Sequence, residues 1–581
     1  MMMKRQKWGI CLVAAATCAI GMAGEIAERF VYSSCDLCNP ERMKRLGELT
    51  RTAASCGYTG MVLQGDIPYV FHMGEGPRRE LRKYKRLCDE LGIEIIPAVW
   101  SIGYGAMLHV DPNLAAGLPC CNIPYVASAD GTKATYAPEP FDAGIDGGFE
   151  APKETGNGRF SFAGWAFTEK PGLVSFVDES VKHTGGKSVR FELEAAKAND
   201  PKDPQARALA RIKVKRNSRY VVSAWIRTED VDKPSAFQIV FYTRPGKGEV
   251  AGSTRQLSFN RPKLQPSGEW ARVTASLSTL DHEEIDMWIG SWGATKGRFW
   301  LDDVDVRLEG LADCLRRPGC PLMVRGEESG IAYKEGKDYA AVPPLGKEQR
   351  AAARENGSLV LKLLPGGRIR PGERLSVSGF RSHRMKSDSQ VSVCMSEPRF
   401  YELVEKSAKT IAEELRPKKW FLPMDEIRAG GTCMACRRRQ TDMAHIFGDC
   451  VTKLRETIRK VTPEATVYMW GDQLDPKMNA KDGRCMCRGT FAGSVDLVPK
   501  DIVIMHWGGR VPETFAFFRE HGFALGRSIA CFDGDWTDKK TETVTRELEA
   551  IRAEPTCRAV MFTTWSGDYR NLGKFAEALR K

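Results

Sequence analysis

The two ends of the chain repeat one pattern, in which a short apolar run is followed by a segment with helical periodicity. The apolar runs predict eight strands, at residues 30–33, 61–63, 93–99, 420–424, 466–470, 502–507, 528–532 and 559–565. Asn39 and Pro40 begin one of the predicted helices, which ends at Gly57. Repeated strand–helix units predict an α/β fold with a parallel sheet. Eight units favour a closed (β/α)8 TIM-type barrel, and an open doubly wound sheet is the alternative.

The middle of the chain has a different pattern. From residue 141 to residue 310 helical periodicity is absent, and apolar residues alternate with polar ones. This period of two predicts an all-β sandwich, inserted into a barrel loop, where large insertions are tolerated. The predicted domains are the barrel in two parts at 24–140 and 391–581, the sandwich at 141–310, and a strand-rich connecting segment at 311–390.

Residues 1–23 have the layout of a secretory signal peptide. A positive start with Lys4 and Arg5 precedes an apolar run at residues 8–22, and Ala23 is a small residue suited to cleavage. The run is shorter than the roughly 20 residues that cross a bilayer. Cys18 leaves a lipoprotein as the alternative. We therefore expect a secreted or periplasmic protein, with no membrane association after cleavage.

The composition is that of a folded protein. The chain has 581 residues, of which 42% are hydrophobic and 28% are charged, which excludes collagen-like, wholly disordered and polytopic membrane proteins. Its formal net charge of +12 is spread along the sequence, and no basic helix or arm stands out. No nucleic-acid partner is therefore predicted.

The cysteines offer two interpretations. Of the 18 cysteines, Cys11 and Cys18 lie in the predicted signal peptide, which leaves 16. Three close pairs stand out: Cys35 with Cys38, Cys433 with Cys436, and Cys485 with Cys487. The last two pairs could supply four thiolates to a zinc ion. Disulfides or buried free thiols are the alternative that an exported protein favours.

The predicted sandwich resembles the family 4 and 9 group of carbohydrate-binding modules. The matching motifs are Gly147-Gly148-Phe149-Glu150 and residues 186–190, 220–225 and 299–304. The resemblance implies a jelly roll with a structural calcium ion, for which Glu150 and Asp303 are the candidate oxygen ligands. Four tryptophans could stack on sugars, although core packing is the ordinary role of any one of them: Trp225, Trp288, Trp292 and Trp300.

The barrel resembles the family 20 glycoside hydrolases, the β-hexosaminidases, mainly over residues 393–568. The match centres on residues 420–426, where a strand ends in Asp425 and Glu426, as it does in that family's paired Asp-Glu. The resemblance implies Glu426 as the general acid and Asp425 as the residue that orients the substrate's acetamido group, in a retaining mechanism. The family's His and two Gly before the pair are absent here, as is an Arg in the first strand.

Barrel geometry supports a site at this pair. Strands of a barrel end at one face, where a Glu can protonate the leaving oxygen of a glycosidic bond. The alternative is that Asp425 and Glu426 cap the next helix. Residues at the other strand ends are expected to bind the sugar: Trp470, Asp472, His506, Trp507, Asp535, Trp565 and Asp568, with Asp533 and His383 as further candidates.

The sequence therefore predicts a secreted glycoside hydrolase whose substrate is an oligo- or polysaccharide. We expect it to be exo-acting, on β-linked N-acetylhexosamine or a related sugar. No cofactor is expected for catalysis. One alternative is a catalytically inactive carbohydrate-binding surface protein. Another is a zinc-dependent hydrolase that uses the paired cysteines, although sites made of thiolates alone are normally structural.

Overall fold

The computed structural model describes residues 26–156, 159–243, 255–352, 354–355, 357–382, 390–508, 511–530 and 534–580. The predicted signal peptide at 1–23 lies outside these ranges, as do the candidate residues His383 and Asp533. Within the described ranges, no helix has both the length and the apolar character needed to cross a membrane.

Eight parallel strands form one sheet that nearly closes into a barrel. They are β1 (Glu28–Cys35), β2 (Gly60–Gly65), β3 (Glu94–Pro97), β4 (Lys419–Leu422), β5 (Thr466–Trp470), β6 (Val503–His506), β7 (Ala524–Ala530) and β8 (Cys557–Thr563). Their order in the sheet is β4-β5-β6-β7-β8-β1-β2-β3. The two edges meet at a bridge between Ala98 and Phe421, where the nitrogen of Val99 donates to the Phe421 carbonyl at 2.9 Å. The expected α/β fold with eight parallel strands is confirmed.

Helices accompany these strands. Those of eight or more residues in the described ranges are α1 (Pro40–Ser55), α2 (Glu75–Glu90), α3 (Pro398–Leu415), α4 (Met443–Val461), α5 (Val511–Glu520), α6 (Asp538–Arg552) and α7 (Leu572–Arg580). The shorter ones are Ile67–His72, Pro112–Leu114, Leu193–Asn199, Pro234–Ala236, Lys347–Ala351, Met434–Arg437 and Ser494–Leu497. Asn39 caps α1 as predicted, because its side chain accepts a hydrogen bond from the nitrogen of Arg42 at 3.1 Å.

Aromatic side chains fill the end of the barrel interior that lies beneath the carboxyl ends of the strands. Phe421 and Trp470 meet edge to face with ring centroids 4.7 Å apart, and Tyr32 lies 5.7 Å from Trp470. These three residues are buried. The carboxylates that follow β4 and β5 therefore lie next to an aromatic layer.

The predicted sandwich is present as two five-stranded antiparallel sheets. In sheet order, one consists of Gly268–Ser278, Arg219–Glu229, Arg298–Leu308, Ser188–Glu192 and Ser175–Asp178. The other consists of Gln256–Asn260, Phe237–Thr243, Glu284–Trp292, Gln205–Lys213 and Trp165–Thr168. Buried residues of both sheets, such as Phe191 and Phe237, belong to one apolar core. The alternation of apolar and polar positions thus corresponds to the inward and outward faces of these strands.

A third antiparallel sheet has six strands. In sheet order they are Ala332–Tyr333, Met323–Gly326, Arg374–Arg381, Leu118–Ala127, Lys133–Tyr136 and Leu361–Lys362. Residues 118–136, which the sequence analysis assigned to the barrel, therefore belong with the connecting segment. The reason is a long-range pairing: the nitrogen of Asn122 donates to Ser378 Oγ, 256 residues later, at 2.9 Å. No local pattern in the sequence reveals such a pairing.

Three short strand pairs complete the described strands. They are Lys153–Gly156 with Arg159–Ser161, Arg354–Glu355 with Ser358–Leu359, and Ala429–Gly430 with Met486–Cys487. The last pair joins the segment after β4 to the segment after β5. Ala429 and Met486 also belong to the apolar core of the sandwich, so the inserted domain packs directly against these two barrel loops.

Candidate active site

Three acidic residues meet where β4 and β5 end. Asp425 and Glu426 follow β4, and Asp472 follows β5. The main-chain nitrogen of Glu426 donates a hydrogen bond to Asp472 Oδ2 at 3.1 Å, and Asn479 Nδ2 donates to the same oxygen at 2.5 Å. The next helix begins only at Met434, so the pair does not cap a helix. The structure therefore brings together Asp425, Glu426 and Asp472, three of the residues predicted for the site.

Both carboxylate oxygens of Glu426 have donors. Arg428 Nη2 lies 2.8 Å from Oε1. The Tyr104 hydroxyl and the Gln390 amide both donate to Oε2, and the Gln390 amide also donates to the Tyr104 hydroxyl at 2.6 Å. Burial favours the neutral carboxyl, but Arg428 and the two hydrogen bonds outweigh it and hold the pKa of Glu426 below its ordinary value. Glu426 is therefore ionised at neutral pH.

The backbone around the pair is closely packed and partly strained. Glu426 has a φ of +48°, in the left-handed region that non-glycine residues rarely adopt. The loop after β3 lies directly on this peptide, because a Cβ added to Gly103 would lie 2.1 Å from the carbonyl oxygen of Asp425. Tyr104, the next residue, reaches Glu426 as a result. Gly103 thus permits the contact between the two loops.

Asp425 and Asp472 have the opposite electrostatic environment to Glu426. Burial, reinforced by the charge of Asp472, raises the pKa of Asp425 well above its ordinary value. Burial also raises the pKa of Asp472, to about 6. The Oδ1 atom of each is buried and has no hydrogen-bond partner among the described residues. The environment therefore favours the protonated form of Asp425 and the ionised form of Glu426.

The predicted aromatic residues lie at different depths. Trp470 is only 1% exposed and belongs to the barrel interior. Trp507 is partly buried and packs against the same interior cluster. Trp565 is 62% exposed, and its ring lies 6.1 Å from that of Tyr32. Trp565 is thus the predicted subsite residue that presents an exposed ring at the barrel mouth.

His506 does not lie where the sequence analysis expected it. Its side chain is fully buried, and Nε2 lies 3.2 Å from Asp475 Oδ2. The nitrogen of Gly508 and Arg527 Nη1 both donate to Nδ1 at 3.3 Å. Burial, reinforced by the charge of Arg527, lowers the pKa of His506. His506 is therefore a neutral core residue, and correcting its assignment removes it from the sugar-binding set.

Asp568 and Asp535 both lie beside Arg570, in the segments after β8 and β7. Asp568 accepts hydrogen bonds from the nitrogen of Gly534 at 3.0 Å and from Arg570 Nε at 2.9 Å. The bonds from the main chain and from Arg570 lower its pKa. The Asp535 side chain is 98% exposed, and its Oδ1 lies 3.9 Å from Arg570 Nη1. Asp568 thus joins two loops, whereas the Asp535 side chain is exposed to solvent.

Sequence reasoning missed three residues that contact Glu426. Arg428 is two positions further along the chain and could have been found from its charge alone. Tyr104 lies in the loop after β3 and Gln390 at the end of the connecting segment, and no local sequence pattern identifies them. A fourth missed residue, Gln473, follows Asp472; its side-chain amide is buried, and neither polar atom has a hydrogen-bond partner among the described residues. Arg428 thus adds a positive charge beside the carboxylates, and the other three residues add neutral hydrogen-bonding groups.

In the sandwich, Glu150 and Asp303 both contact residues 183–187. Glu150 Oε1 accepts a hydrogen bond from the nitrogen of Gly186 at 2.8 Å. Asp303 Oδ1 accepts one from Thr184 Oγ1 at 2.8 Å, and Asp303 Oδ2 lies 2.6 Å from His183 Nδ1. Two carboxylates converging on one loop fit a calcium ion, which takes oxygen ligands. The His183 contact does not fit, because a cation would have to displace it.

The sandwich tryptophans fall into two groups. Trp300 is buried, and its Nε1 donates to Asp178 Oδ2 at 2.9 Å. Trp225 stacks on His183 with ring centroids 3.9 Å apart. On the other sheet the guanidinium of Arg207 lies between two half-buried rings, 4.3 Å from the centroid of Trp288 and 5.5 Å from that of Trp292. Phe167, which is partly exposed, lies 5.7 Å from Trp288. This second sheet therefore carries an aromatic outer face.

The predicted pairing of Cys433 and Cys436 with Cys485 and Cys487 is not observed as one cluster. Cys485 belongs to the apolar core of the sandwich. Cys487 Sγ lies 3.7 Å from the Ile427 carbonyl oxygen. The cysteines in the described ranges are free thiols.

Comparison with known proteins gives partial structural similarities. No family model and no curated protein matches the chain. A family 61 carbohydrate-binding module in complex with β-1,4-galactotriose is 17% identical, with a TM-score of 0.19; the match covers 28% of this chain and 96% of the module. A family 20 exo-β-N-acetylglucosaminidase from Vibrio harveyi, in complex with N-acetylglucosamine, is 16% identical with a TM-score of 0.25.

The two enzyme matches differ in extent. The match to the Vibrio harveyi enzyme covers 33% of this chain and 32% of that enzyme. A rhamnosidase from Novosphingobium sp. PP1Y is 10% identical with a TM-score of 0.32, and the match covers 93% of this chain and 55% of the rhamnosidase. The chain thus spans about a third of one enzyme and about half of the other. At these TM-scores, no match assigns an activity to this chain.

Proposed function

We propose that this chain is a carbohydrate-active protein whose barrel hydrolyses glycosidic bonds. The observation that carries the proposal is the different surroundings of two adjacent carboxyl groups at the end of β4. Arg428 lies 2.8 Å from Glu426 and lowers its pKa, whereas burial and the charge of Asp472 raise the pKa of Asp425. Glycoside hydrolysis needs a carboxyl group that protonates the leaving oxygen, and a negative charge that stabilises the positive sugar in the transition state. Asp425 and Glu426 supply these two groups at the end of a barrel strand.

These roles are the reverse of those implied by the family resemblance. In our proposal Asp425 gives its proton to the leaving oxygen as the bond from that oxygen to the anomeric carbon breaks. The substrate's own acetamido oxygen forms the new bond to the anomeric carbon, and Glu426 stabilises the positive charge that develops. Water then attacks that carbon as its bond to the acetamido oxygen breaks, and the water gives a proton to Asp425, which completes a retaining reaction.

The proposed substrate class is supported by the groups at the carboxyl ends of the strands. Trp565, next to Tyr32, offers an apolar wall for one sugar ring. Asp472 and Gln473 have buried polar atoms nearby that could bond to hydroxyl or amide groups. We propose that the substrate is a β-linked N-acetylhexosamine at the end of an oligo- or polysaccharide. We also propose that the eight-stranded sheet is a TIM-type barrel. We also propose that residues 1–23 direct export of the protein.

The inserted sandwich is proposed to bind carbohydrate through its aromatic outer face. Phe167, Trp288 and Trp292 lie on one sheet with Arg207 between the two tryptophans. Flat rings beside a hydrogen-bond donor suit the apolar faces and hydroxyl groups of a sugar. We propose that the fold of this domain is a jelly roll with calcium at Glu150 and Asp303.

The direct experiment is hydrolysis of a panel of aryl glycosides that includes the β-N-acetylglucosaminide and the β-N-acetylgalactosaminide. We expect release of the aryl group by the parent chain and slower release by Asp425→Asn and Glu426→Gln. Glu549→Gln is the matched control, because it removes an exposed carboxylate on α6, outside the residues predicted for the site. Equal melting temperatures in all four proteins would show that the losses are not due to unfolding.

A second candidate function is carbohydrate binding without hydrolysis. The observation that favours it is that both oxygens of Glu426 already have donors, from Arg428, Tyr104 and Gln390. Affinity electrophoresis in gels that contain polysaccharide would separate the two functions. Retarded migration without cleavage of any glycoside in the panel would support binding alone.

A further inference from the structure

Three cysteine side chains meet beside the loop that follows β4. Cys394, Cys433 and Cys436 are each at most 4% exposed. The sulfur of Cys394 lies 3.6 Å from that of Cys433 and 3.7 Å from that of Cys436, and the sulfurs of Cys433 and Cys436 are 3.6 Å apart. The three sulfurs therefore form a nearly equilateral triangle.

These separations distinguish between two kinds of cysteine site. Sulfur atoms in a disulfide are about 2.05 Å apart. Thiolates bound to one zinc ion at about 2.3 Å in tetrahedral geometry lie about 3.8 Å from each other. The triangle thus has nearly the size of one face of a zinc–sulfur tetrahedron. Among the described residues, these three cysteines form the one group of three or more His, Cys, Asp or Glu side chains whose ligand atoms all lie within 4.8 Å of one another.

Cys320 is the next cysteine beside this triangle. It is fully buried, and its thiol lies next to that of Cys433, outside the group of sulfurs that all lie within 4.8 Å of one another. Gly117 lies between the two: a Cβ added there would be 2.7 Å from Cys320 Sγ and 3.2 Å from Cys433 Cβ. The absence of a side chain at Gly117 therefore allows the two cysteines to approach each other.

The four cysteines come from three separate parts of the chain. Cys433 and Cys436 bracket the start of the short helix Met434–Arg437, with the two-residue spacing of a common zinc half-site. Cys394 lies shortly before α3. Cys320 ends a turn in which its nitrogen donates to the Arg317 carbonyl at 2.8 Å.

A buried arginine provides positive charge at the cluster. Arg317 Nη1 lies 3.9 Å from Cys433 Sγ and donates to Glu397 at 2.9 Å. The same guanidinium donates to the carbonyl oxygens of Asn113 at 2.7 Å and Ala115 at 2.9 Å. Four thiolates around a divalent ion carry a net negative charge, which a neighbouring guanidinium offsets. Arg317 also holds the main chain at residues 113–115 beside the cluster.

We propose that Cys320, Cys394, Cys433 and Cys436 bind one structural zinc ion. Four protein ligands leave no open coordination position, which is the arrangement of structural rather than catalytic sites. The ion would join the loop that carries Glu426 and Arg428 to the connecting segment, through Cys320, and to the residues just before α3, through Cys394. Cys485 and Cys487, which the sequence suggested as ligands, are not part of this set.

The test uses the full chain, purified under reducing conditions without added metal. Elemental analysis is expected to find about one zinc per chain, as a closed four-thiolate site requires. Cys433→Ser and Cys394→Ser are expected to lose the zinc. Cys450→Ser is the matched control, because Cys450 is equally buried but lies in α4, outside the cluster; it is expected to retain the zinc.

A second measurement needs no variant and therefore does not depend on whether the serine variants fold. Titration of the parent protein with a mercurial thiol reagent, followed with a chromogenic zinc chelator, is expected to release zinc as these thiols react. Four results would overturn the proposal: no zinc in the parent protein, iron in its place, full zinc retention by Cys433→Ser, or a disulfide among these cysteines in peptides mapped without reduction. None of them bears on glycoside hydrolysis.

Discussion

The main-chain nitrogen of Glu426 donates a hydrogen bond to the side chain of Asp472 at 3.1 Å. This bond joins the carboxyl ends of β4 and β5 and places a buried aspartate directly against the candidate catalytic pair. The same contact brings a second negative group near Asp425, which raises the pKa of Asp425 further. Asp472 thus holds the geometry of the pair and also shapes its electrostatics.

Asp472→Asn is expected to make stability depend less on pH. Burial raises the pKa of Asp472 from 3.8 to about 6, so the folded state holds the proton more tightly than the unfolded state. The stability that this proton contributes is present below about pH 4 and is lost as the pH rises through about 6. The variant should therefore exceed the parent by up to about 3 kcal/mol at neutral pH, since one pKa unit corresponds to about 1.4 kcal/mol.

Urea unfolding of both proteins between pH 4 and pH 8 measures this difference. The free energies of unfolding should converge at the acid end of the range. A variant that is less stable than the parent by the same amount at every pH would contradict the assigned pKa shift.

Gly103→Ala is expected to disturb the site by pressing on the peptide of Asp425 and Glu426. The new Cβ would lie 2.1 Å from the carbonyl oxygen of Asp425, and relief of such a clash typically costs about 1–3 kcal/mol. Both the melting temperature and the hydrolysis rate should fall. Gly76→Ala is the control, because Gly76 lies in α2 with open space around it, and alanine there should stabilise the helix by up to about 1 kcal/mol. Equal stability of the two variants would argue against the close approach.

The sequence predicted the parts of the fold that local periodicity determines. All eight barrel strands were located, and β5 (Thr466–Trp470) was predicted with its observed bounds. Contacts between distant segments were not predictable. Leu118–Ala127 pairs with Arg374–Arg381, and Cys394 lies beside Cys433 and Cys436. These contacts depend on how the intervening residues fold, which local periodicity does not determine.

The same distinction holds for the candidate site. Asp425 and Glu426 could be recognised because both lie at the end of one strand. The pKa shifts of the pair could not be predicted from the sequence, because Tyr104 and Gln390 contact Glu426 from parts of the chain that are remote in sequence. His506 was misassigned because a strand end alone does not show whether a side chain is buried.

Trp288→Ala is expected to weaken binding of the full chain to polysaccharide. The substitution removes one of the two rings that flank Arg207, and an aromatic contact of this kind contributes about 0.5–1.5 kcal/mol beyond its buried area. Affinity electrophoresis should show reduced retardation. Trp225→Ala, on the opposite sheet, should migrate like the parent. Equal effects of the two substitutions would argue against the aromatic face as the binding surface.

Calcium is expected to stabilise the sandwich through Glu150 and Asp303. Addition of Ca²⁺ to the chelator-treated chain should raise the melting temperature, because a ligand that binds only the folded state stabilises it. Glu150→Gln should abolish the increase, since the change removes a charged oxygen ligand. Glu179→Gln is a suitable control, because Glu179 is an exposed carboxylate in the same domain. A parent protein whose melting temperature does not respond to Ca²⁺ would contradict this assignment.

The central claim is that Asp425 donates the proton and that Glu426 stabilises charge. The two roles give different kinetic signatures. Loss of the proton donor should slow substrates with poor leaving groups far more than those with good ones, since only the former need protonation. Loss of a fixed stabilising charge should slow all substrates by a comparable factor, on the order of 10² to 10³.

The measurement that tests this claim most directly is kcat/KM for the parent, Asp425→Asn and Glu426→Gln on aryl β-N-acetylglucosaminides whose leaving groups differ in pKa. We predict a steep dependence on the leaving group for Asp425→Asn and a nearly uniform loss for Glu426→Gln. A steep dependence for Glu426→Gln instead would restore the roles implied by the family resemblance and contradict the protonation assigned here. Unchanged hydrolysis in both variants would remove the pair from catalysis altogether.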